Sequence, residues 1–337
     1  MTPTFSVILA TRDRPGLFAE ALQSVMAQDF PGFEIIVVND GTSAAHLEGY
    51  RALWDQAAAS LGERFSVHHL VHRPRGHGQS YSLNYGVSQA KGDYVCFLDD
   101  DDKWTDPGHL SRAARALAAM ADAGTPADLY MANQAAWIND RQVPGPVWLE
   151  GLAGELVRRG RRARDDGCFE VTVADLMATT GFCHLNCFTV RRALWEKVGG
   201  MDEGIRWECD RDIYLRLVDQ SGPMLHHPAV MSFHRVPDPS KTANMTTALG
   251  MIEKRLLQTR VLDKAALFSR HRLIRAHARR HKAFALKKIA QELADKQDWT
   301  SARTYAAQAL GAAPGLKWLA FTGYCLLSSL IKRDKDR

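Results

Sequence analysis

Short apolar runs alternate with helical segments through the first hundred residues of the chain, and polar side chains follow these runs. The runs have the length of buried strands, and the segments between them carry apolar residues at helical spacing. The predicted strands are Phe5 to Ala10, Glu34 to Val38, Phe65 to Val71 and Tyr94 to Leu98. This alternation is typical of βαβ units, so it predicts an α/β fold with a mostly parallel sheet flanked by helices.

Four consecutive carboxylates, Asp99 to Asp102, follow the predicted strand that ends at Leu98. Four acids cannot all be buried without partners, because an isolated buried charge is costly and like charges oppose one another's ionisation. A hard divalent cation would relieve both costs, since Mg²⁺ and Mn²⁺ favour carboxylate oxygens. Polar clusters also follow Ala10 and Val38, and ligands of open α/β sheets bind beyond the carboxyl ends of strands. The clusters therefore predict one ligand crevice; the alternative for the acids is a solvated turn or helix N-terminus.

The length and composition fit a soluble globular protein. The 337 residues suffice for two domains, and a net charge of +5 does not by itself indicate nucleic-acid binding. The six cysteines show no disulfide-framework spacing, and the first residues lack the basic region of a signal peptide. No apolar run reaches the roughly 18 residues that a membrane span needs. We therefore expect a cytoplasmic location.

The pattern changes near Val236 to Pro239, and the chain then becomes rich in Ala, Leu, Lys and Arg with helical periodicity. This predicts a catalytic domain over residues 1–243 and a basic helical region over 244–337. Within the latter, Ile289 to Pro314 resembles one tetratricopeptide-like hairpin. The basic segment Lys254 to Lys288 has three possible roles: a solvated helical face, contact with an anionic membrane surface, or binding of a lipid-diphosphate acceptor. Its few aromatic residues argue against nucleic acid.

Five segments, in order along the first 240 residues, resemble the family 2 inverting glycosyltransferases, which have the GT-A fold. They are Ser6 to Pro15, Glu34 to Ser43, Gly78 to Val87, Val198 to Glu203 and Glu208 to Leu217. The resemblance implies a nucleotide-diphosphate sugar donor, with a UDP-sugar favoured, and a divalent metal, Mn²⁺ or Mg²⁺, on the diphosphate. Sugar transfer leaves negative charge on the departing diphosphate, which such a metal offsets.

The resemblance also assigns donor-site residues. Asp101 is the expected metal ligand, with Asp99 and His234 as further ligands, and Asp40 is expected to read the nucleobase. The other expected nucleotide-sugar contacts are Thr11, Arg12, Arg14, Arg73, Asn84, Asp99 and Asp100. The alternative for Asp40 is a turn residue before glycine, and for His234 a structural histidine.

One segment departs from the family pattern. Many relatives carry Ala-Arg-Asn where this chain has Ser82-Leu83-Asn84, so a usual nucleotide contact is missing. Arg73 or Arg75, in the preceding glycine-rich loop, could supply the charge instead.

An inverting transfer also needs a general base for the acceptor hydroxyl. Asp210 matches the family's catalytic acid, and the neighbours Glu208 and Asp212 could substitute for it. The alternative for these acids is a helix N-terminus that favours negative charge. By the same resemblance, His184 and Asn186 are expected to contact the acceptor.

The expected activity is transfer of a sugar to a hydroxyl of a glycan, glycolipid or other glycoconjugate, with peripheral membrane contact through the basic region as a further possibility. Two rival functions stay open. A sugar nucleotidyltransferase would need a glycine-rich basic loop after the first strand, where this chain has Thr11 to Arg14. A non-catalytic nucleotide-sugar-binding scaffold is compatible with the missing arginine. A zinc site at Cys183, His184, Cys187 and Cys209 is disfavoured, because there is no CxxC pair and Cys183 to Val190 is predicted as a strand.

Overall fold

The structure is a computed structural model that describes residues 4–139, 141–143, 147–237 and 248–335. The chain divides into two compact units, Met1–Asp238 and Pro239–Arg337. The predicted domain boundary after residue 243 lies outside the described residues.

The first unit contains one mixed sheet, with the strand order β3-β2-β1-β4-β9-β6-β10-β5; β7 pairs with β6 and β8 pairs with β10. Its described strands are β1 (Phe5–Thr11), β2 (Phe33–Asn39), β3 (Phe65–His69), β4 (Tyr94–Phe97), β5 (Lys103–Trp104), β6 (Leu129–Ile138), β7 (Arg141–Gln142), β8 (Phe169–Val171), β9 (Phe188–Arg191) and β10 (Met224–Arg235).

Eight described α-helices accompany this sheet. They are α1 (Pro15–Met26), α2 (Ala44–Leu61), α3 (Gln79–Ser88), α4 (His109–Asp122), α5 (Leu152–Arg158), α6 (Val173–Ala178), α7 (Arg192–Lys197) and α8 (Cys209–Gln220). Short 3-10 turns lie at Gly62–Arg64 and Leu185–Cys187.

The N-terminal half of the sheet confirms the predicted βαβ arrangement. Strands β1, β2, β3 and β4 pair in parallel, and every residue of β2 is buried. A strand buried on both faces reads as a continuous apolar run, which is why the sequence pattern was clear here. The sheet becomes mixed beyond β4, because β9 runs antiparallel to both β4 and β6. Parallel pairing places the carboxyl ends of β1, β2 and β4 at one edge, together with their polar clusters.

Helix α3 packs directly on this parallel half. A Cβ added at Gly86 would overlap Ile8 Cγ2 and would lie 3.2 Å from Val38 Cγ2. Only glycine permits so close an approach of the helix backbone to the sheet. This packing fixes the N-terminus of α3 beside the carboxyl end of β2.

The strand predicted over Cys183 to Val190 is wrong in its first half. Residues Leu185–Cys187 form a 3-10 turn, and strand pairing begins only at Phe188. The side chain of His184 accepts the backbone N–H of Asn186 and so caps this turn. The turn, unlike a strand, directs the Asn186 side chain beneath the acidic residues that follow β4.

The second unit contains α9 (Met251–Phe268), α10 (Arg272–Asp295), α11 (Trp299–Ala312) and α12 (Leu316–Lys335). Helices α10, α11 and α12 share two small apolar clusters, built mainly from alanine. Ala302, Ala306 and Ala309, which carry the predicted hairpin pattern, are fully buried. The likeness to a single tetratricopeptide hairpin stays a prediction. None of the described helices is long and apolar enough to cross a membrane.

Candidate functional site

The two middle acids of the run, Asp100 and Asp101, contact residues at and after the end of β1. Thr11 Oγ1 donates a hydrogen bond of 2.6 Å to Asp100 Oδ2, and the Asp100 side chain is almost fully buried. The guanidinium of Arg14 pairs with Asp100 and also lies 2.8 Å from Asp101 Oδ2. Arg14 therefore bridges two of the four carboxylates.

Asp102 faces the opposite side and is the most heavily bonded acid of the run. Its Oδ2 accepts hydrogen bonds from Asn186 Nδ2 (2.6 Å) and His234 Nδ1 (2.8 Å), and its Oδ1 accepts the backbone N–H of Arg235 (2.7 Å). Asp102 was not among the residues expected to bind the metal or the nucleotide. In the sequence, only its position as the fourth acid of the run points to such a role.

Asp99 is connected to the same network. Its Oδ1 accepts a hydrogen bond from Gln79 Nε2 (2.7 Å), and its backbone N–H donates to Asn186 Oδ1 (2.9 Å). Asn186 is fully buried and also donates to Gln134 Oε1 (3.3 Å). Asn186, expected to contact the acceptor, thus holds Asp99 and Asp102 from beneath the crevice.

Two groups of side chains in the described part of the chain place potential metal-ligand atoms within 4.8 Å of one another. They are Asp99, Asp101 and Asp102, and Asp102, His184 and His234. Burial and the adjacent carboxylates raise the pKa of Asp99 well above its usual value. Burial raises the pKa of Asp100 to about 6, against the opposing effect of Arg14. A cation would relieve this crowding of charge, and the all-oxygen donor set fits Mg²⁺ or Mn²⁺.

The two histidines differ in charge. Burial disfavours the charged form of His234, but the adjacent Asp102 carboxylate raises the pKa of His234 to about 9. Burial lowers the pKa of His184 to about 3, with a smaller contribution from His234. Because Nδ1 of the neutral His184 accepts the Asn186 N–H, its proton lies on Nε2. That nitrogen is 3.6 Å from Asp210 Oδ2.

The N-terminus of α8 carries the predicted catalytic acids in different settings. Burial raises the pKa of Asp210, whose Oδ1 accepts the backbone N–H of Arg211. Glu208 has a positive φ of 58° and is ion-paired with the Arg211 guanidinium. Asp212 is buried and paired with Arg216 at 2.7 Å. Of the three, Asp210 has the carboxylate oxygen nearest to His184, which makes it the candidate proton acceptor.

A second contact route joins α8 to the acidic run. Cys209 Sγ lies 3.7 Å from Gln79 Oε1, and the amide nitrogen of Gln79 donates to Asp99. The contacts already described form another route, which passes from Asp210 through His184 and His234 to Asp102. Because both routes join the same two segments, Asp210 and the acids after β4 line one crevice.

Asp40 anchors the glycine-rich loop at the end of β2. Its Oδ1 accepts the backbone N–H of His77 (2.7 Å), and its Oδ2 accepts that of Gly78 (3.0 Å). Each carboxylate oxygen keeps a second lone pair for a ligand. Asp40 therefore both shapes this loop and faces the crevice edge where it was expected.

Arg12 holds the other side of that loop. Its guanidinium donates to the backbone carbonyl of Arg73 at 2.8 Å. Gly76 has φ +63°, and a Cβ there would overlap both Asp40 and Arg12. The Arg73 side chain itself is exposed. The loop thus has little freedom to move without disturbing the end of β2.

Asn84 is bonded away from the acidic run. Its Nδ2 donates to the Met201 carbonyl and to Glu203 Oε1, both at 3.0 Å, and its Oδ1 accepts the Met201 N–H. Leu83, which stands where many relatives carry arginine, is buried. Asn84 therefore fastens α3 to the loop before α8.

Three comparisons with known proteins bear on this site. The model of glycosyl transferase family 2 matches residues 6–160. The PGL/p-HBAD biosynthesis glycosyltransferase of Mycobacterium bovis is 25% identical over 214 residues, which are 64% of this chain and 69% of that protein. Among the curated relatives, the matches cover between 36% and 69% of the relatives' own lengths.

Solved structures show the same fold. S. aureus TarS 1–349, crystallised in complex with UDP-GlcNAc, superposes with a TM-score of 0.65 at 17% identity over 92% of this chain and 82% of that one. The mannosyltransferase PcManGT from Pyrobaculum calidifontis, in complex with GDP-Man and Mn²⁺, gives a TM-score of 0.57 at 18% identity over 98% of this chain and 81% of that one. The family model and the ordered sequence segments show glycosyltransferase family 2 sequence over residues 6–160, and the mixed sheet and the solved structures show the GT-A fold.

Proposed function

We propose that this chain is an inverting glycosyltransferase that moves a sugar from a nucleotide-diphosphate donor, a UDP-sugar in preference, to an acceptor hydroxyl of a glycan, glycolipid or other glycoconjugate. The observation that carries the proposal is the convergence of the acids after β4 with Asp210 of α8. Two independent contact routes, through His184 and through Gln79, join them.

The donor half of the proposal depends on the edge formed by β1, β2 and β4. Asp40 is available to a nucleobase, while Thr11 and Arg14 surround Asp100 beside it. The complexes of TarS with UDP-GlcNAc and of PcManGT with GDP-Man support a nucleotide-sugar as the donor.

The metal would be held by Asp99, Asp101 and Asp102, with the ring of His234 adjacent to them. When bound, Mn²⁺ or Mg²⁺ offsets the negative charge that the departing diphosphate acquires. Arg14, already paired with Asp100 and Asp101, keeps a fixed positive charge in the same place. The Mn²⁺ in the PcManGT complex supports the use of a divalent metal, and the proximity of the three carboxylates supports the choice of ligands.

Asp210 is proposed as the general base. The oxygen of the acceptor hydroxyl attacks the sugar carbon on the side opposite the departing diphosphate. As it does so, Asp210 Oδ2 accepts the proton of that hydroxyl. His184 Nε2 lies 3.6 Å from Asp210 Oδ2, so we assign His184 the role of a positioning residue whose N–H faces this carboxylate. Glu208 is the weaker choice, because Arg211 already neutralises it.

The first test is calorimetric titration of the full chain with UDP, GDP, dTDP and CDP, each with and without Mn²⁺. We expect one nucleotide, UDP in preference, to bind and Mn²⁺ to increase its affinity. Equal nucleotide affinities in the presence and absence of Mn²⁺ would contradict the proposed metal site. Failure of all four nucleotides to bind would overturn the donor site altogether.

The loop anchored by Asp40 gives a second prediction. Gly76→Ala is expected to weaken nucleotide binding by roughly tenfold, because the added methyl group displaces Asp40 and Arg12. Gly62→Ala is the matched control, since Gly62 has a similar positive φ of 56° but open space around its Cβ position. Calorimetry should show unchanged affinity in the control. Equal losses in the two variants would mean that backbone strain, not the loop contact, is responsible.

A further inference from the structure

Helix α12 exposes a continuous apolar face. Leu316, Leu319, Leu327, Leu330 and Ile331 are between 46% and 88% exposed. At 100° per residue these side chains fall within one arc of the helix, which Ala320, Gly323, Tyr324 and Leu326 complete. Residues 318–331 contain no Asp, Glu, Lys or Arg. Scattered surface leucines are ordinary, but a contiguous apolar face of this kind marks an interaction site.

The opposite side of α12 already has its packing partners. Trp318 is buried in a cluster with Leu286, Ala290 and Ala306, and its Nε1–H donates to the Ala306 carbonyl at 2.9 Å. Cys325 is fully buried in the second cluster. The core of the helical unit therefore accounts for one side of α12 and leaves the outer face without a role in folding.

An apolar groove adjoins the outer face where α11 meets α12. It has a volume of about 680 Å³, and its lining includes Leu310, Pro314, Leu316 and Leu319. Leu316 and Leu319 belong to both the groove and the exposed face. The apolar surface thus extends beyond one helix.

The charge of this part of the chain selects among possible partners. Residues 239–337 carry 20 Lys and Arg against 7 Asp and Glu, while Lys317 on one side and Lys332 and Arg333 on the other flank the uncharged stretch. An apolar face bounded by basic residues matches an anionic bilayer, whose headgroups attract Lys and Arg and whose acyl region accepts Leu and Ile. Two copies of this unit would instead bring like charges together.

We propose that the outer face of α12 lies on the surface of an anionic lipid bilayer. In this arrangement the helix is parallel to the membrane, its leucines enter the acyl boundary and Lys317 contacts headgroups. The inference does not depend on the donor site, which belongs to the other unit.

The test is co-sedimentation of the full chain with vesicles of phosphatidylcholine alone and of phosphatidylcholine with phosphatidylglycerol. We expect binding only to the anionic vesicles, with a loss of binding as salt rises. Leu327→Glu, which puts a charge at the centre of the face, should lower the partition coefficient by roughly tenfold or more, since it removes an exposed leucine that would enter the acyl boundary and adds repulsion from the anionic lipid. Leu267→Glu is the matched control, because Leu267 is a 71% exposed leucine of α9.

Circular dichroism on both variants shows whether each has kept its fold, and Leu330→Glu gives an independent variant of the same face. Nucleotide affinity should be equal in the wild-type chain and in Leu327→Glu, which separates this test from that of the donor site. Equal sedimentation of Leu327→Glu and the wild-type chain would overturn the proposal. So would a wild-type dimer in light scattering that Leu327→Glu dissociates, because the face would then bind a second copy.

Discussion

Asp210→Asn is expected to reduce sugar transfer by about a thousandfold, the range of a positioned general base, while nucleotide affinity stays unchanged. Asparagine keeps the shape of the side chain and its contacts with the Arg211 N–H and with His184, but it cannot accept the proton of the acceptor hydroxyl. The measurement is the initial rate of transfer, accompanied by calorimetry with the nucleotide in Mn²⁺.

Glu208→Gln is the matched control, because Glu208 is the other acid proposed for this role and lies two residues away. Its carboxylate is ion-paired with Arg211, so we expect transfer to fall by about tenfold or less. A large loss in Glu208→Gln together with an active Asp210→Asn would assign the base to Glu208. A wild-type chain that binds the donor but transfers no sugar to any acceptor would favour the scaffold function instead.

The parallel half of the fold was predictable because three of its strands, β1, β2 and β4, are almost entirely buried. Within β2, Ile35 to Val38 form an unbroken apolar run, and the polar residues from Asn39 onward mark the strand end. The mixed half gave weaker signals: β9 has only four residues, and β10 contains Pro228 and register shifts against β6 between His226 and Ser232. Short or irregular strands do not show the two-residue periodicity on which sequence patterns depend.

The site was predictable in its residue types but not in its connections. Sequence analysis placed the acids of the run at one crevice but gave no role to Asp102, because side-chain directions within a turn do not follow strand alternation. Asn186 was expected to contact the acceptor on the family resemblance alone, and the 3-10 turn buries its side chain against Asp102. Gln79 and His184 join the two acidic segments only through tertiary contacts.

Asp101→Asn is expected to lower nucleotide affinity in Mn²⁺ by roughly a hundredfold and to leave metal-free affinity unchanged. Asp101 is partly exposed and pairs with Arg14, which keeps its ion pair with Asp100 in the variant. The substitution therefore removes one metal ligand without leaving a buried group unpaired. Calorimetric titrations of the preferred nucleotide with and without Mn²⁺ measure both affinities.

Asp93→Asn provides the control, because Asp93 is exposed and precedes β4 at the opposite end of the same strand. It changes the net charge equally, so any long-range electrostatic effect should be similar in both variants, while the dependence on Mn²⁺ should be lost only in Asp101→Asn. The comparison also distinguishes the two groups of candidate ligands. If the metal were held by Asp102, His184 and His234, Asp101→Asn would keep its response to Mn²⁺ and His234→Asn would lose it.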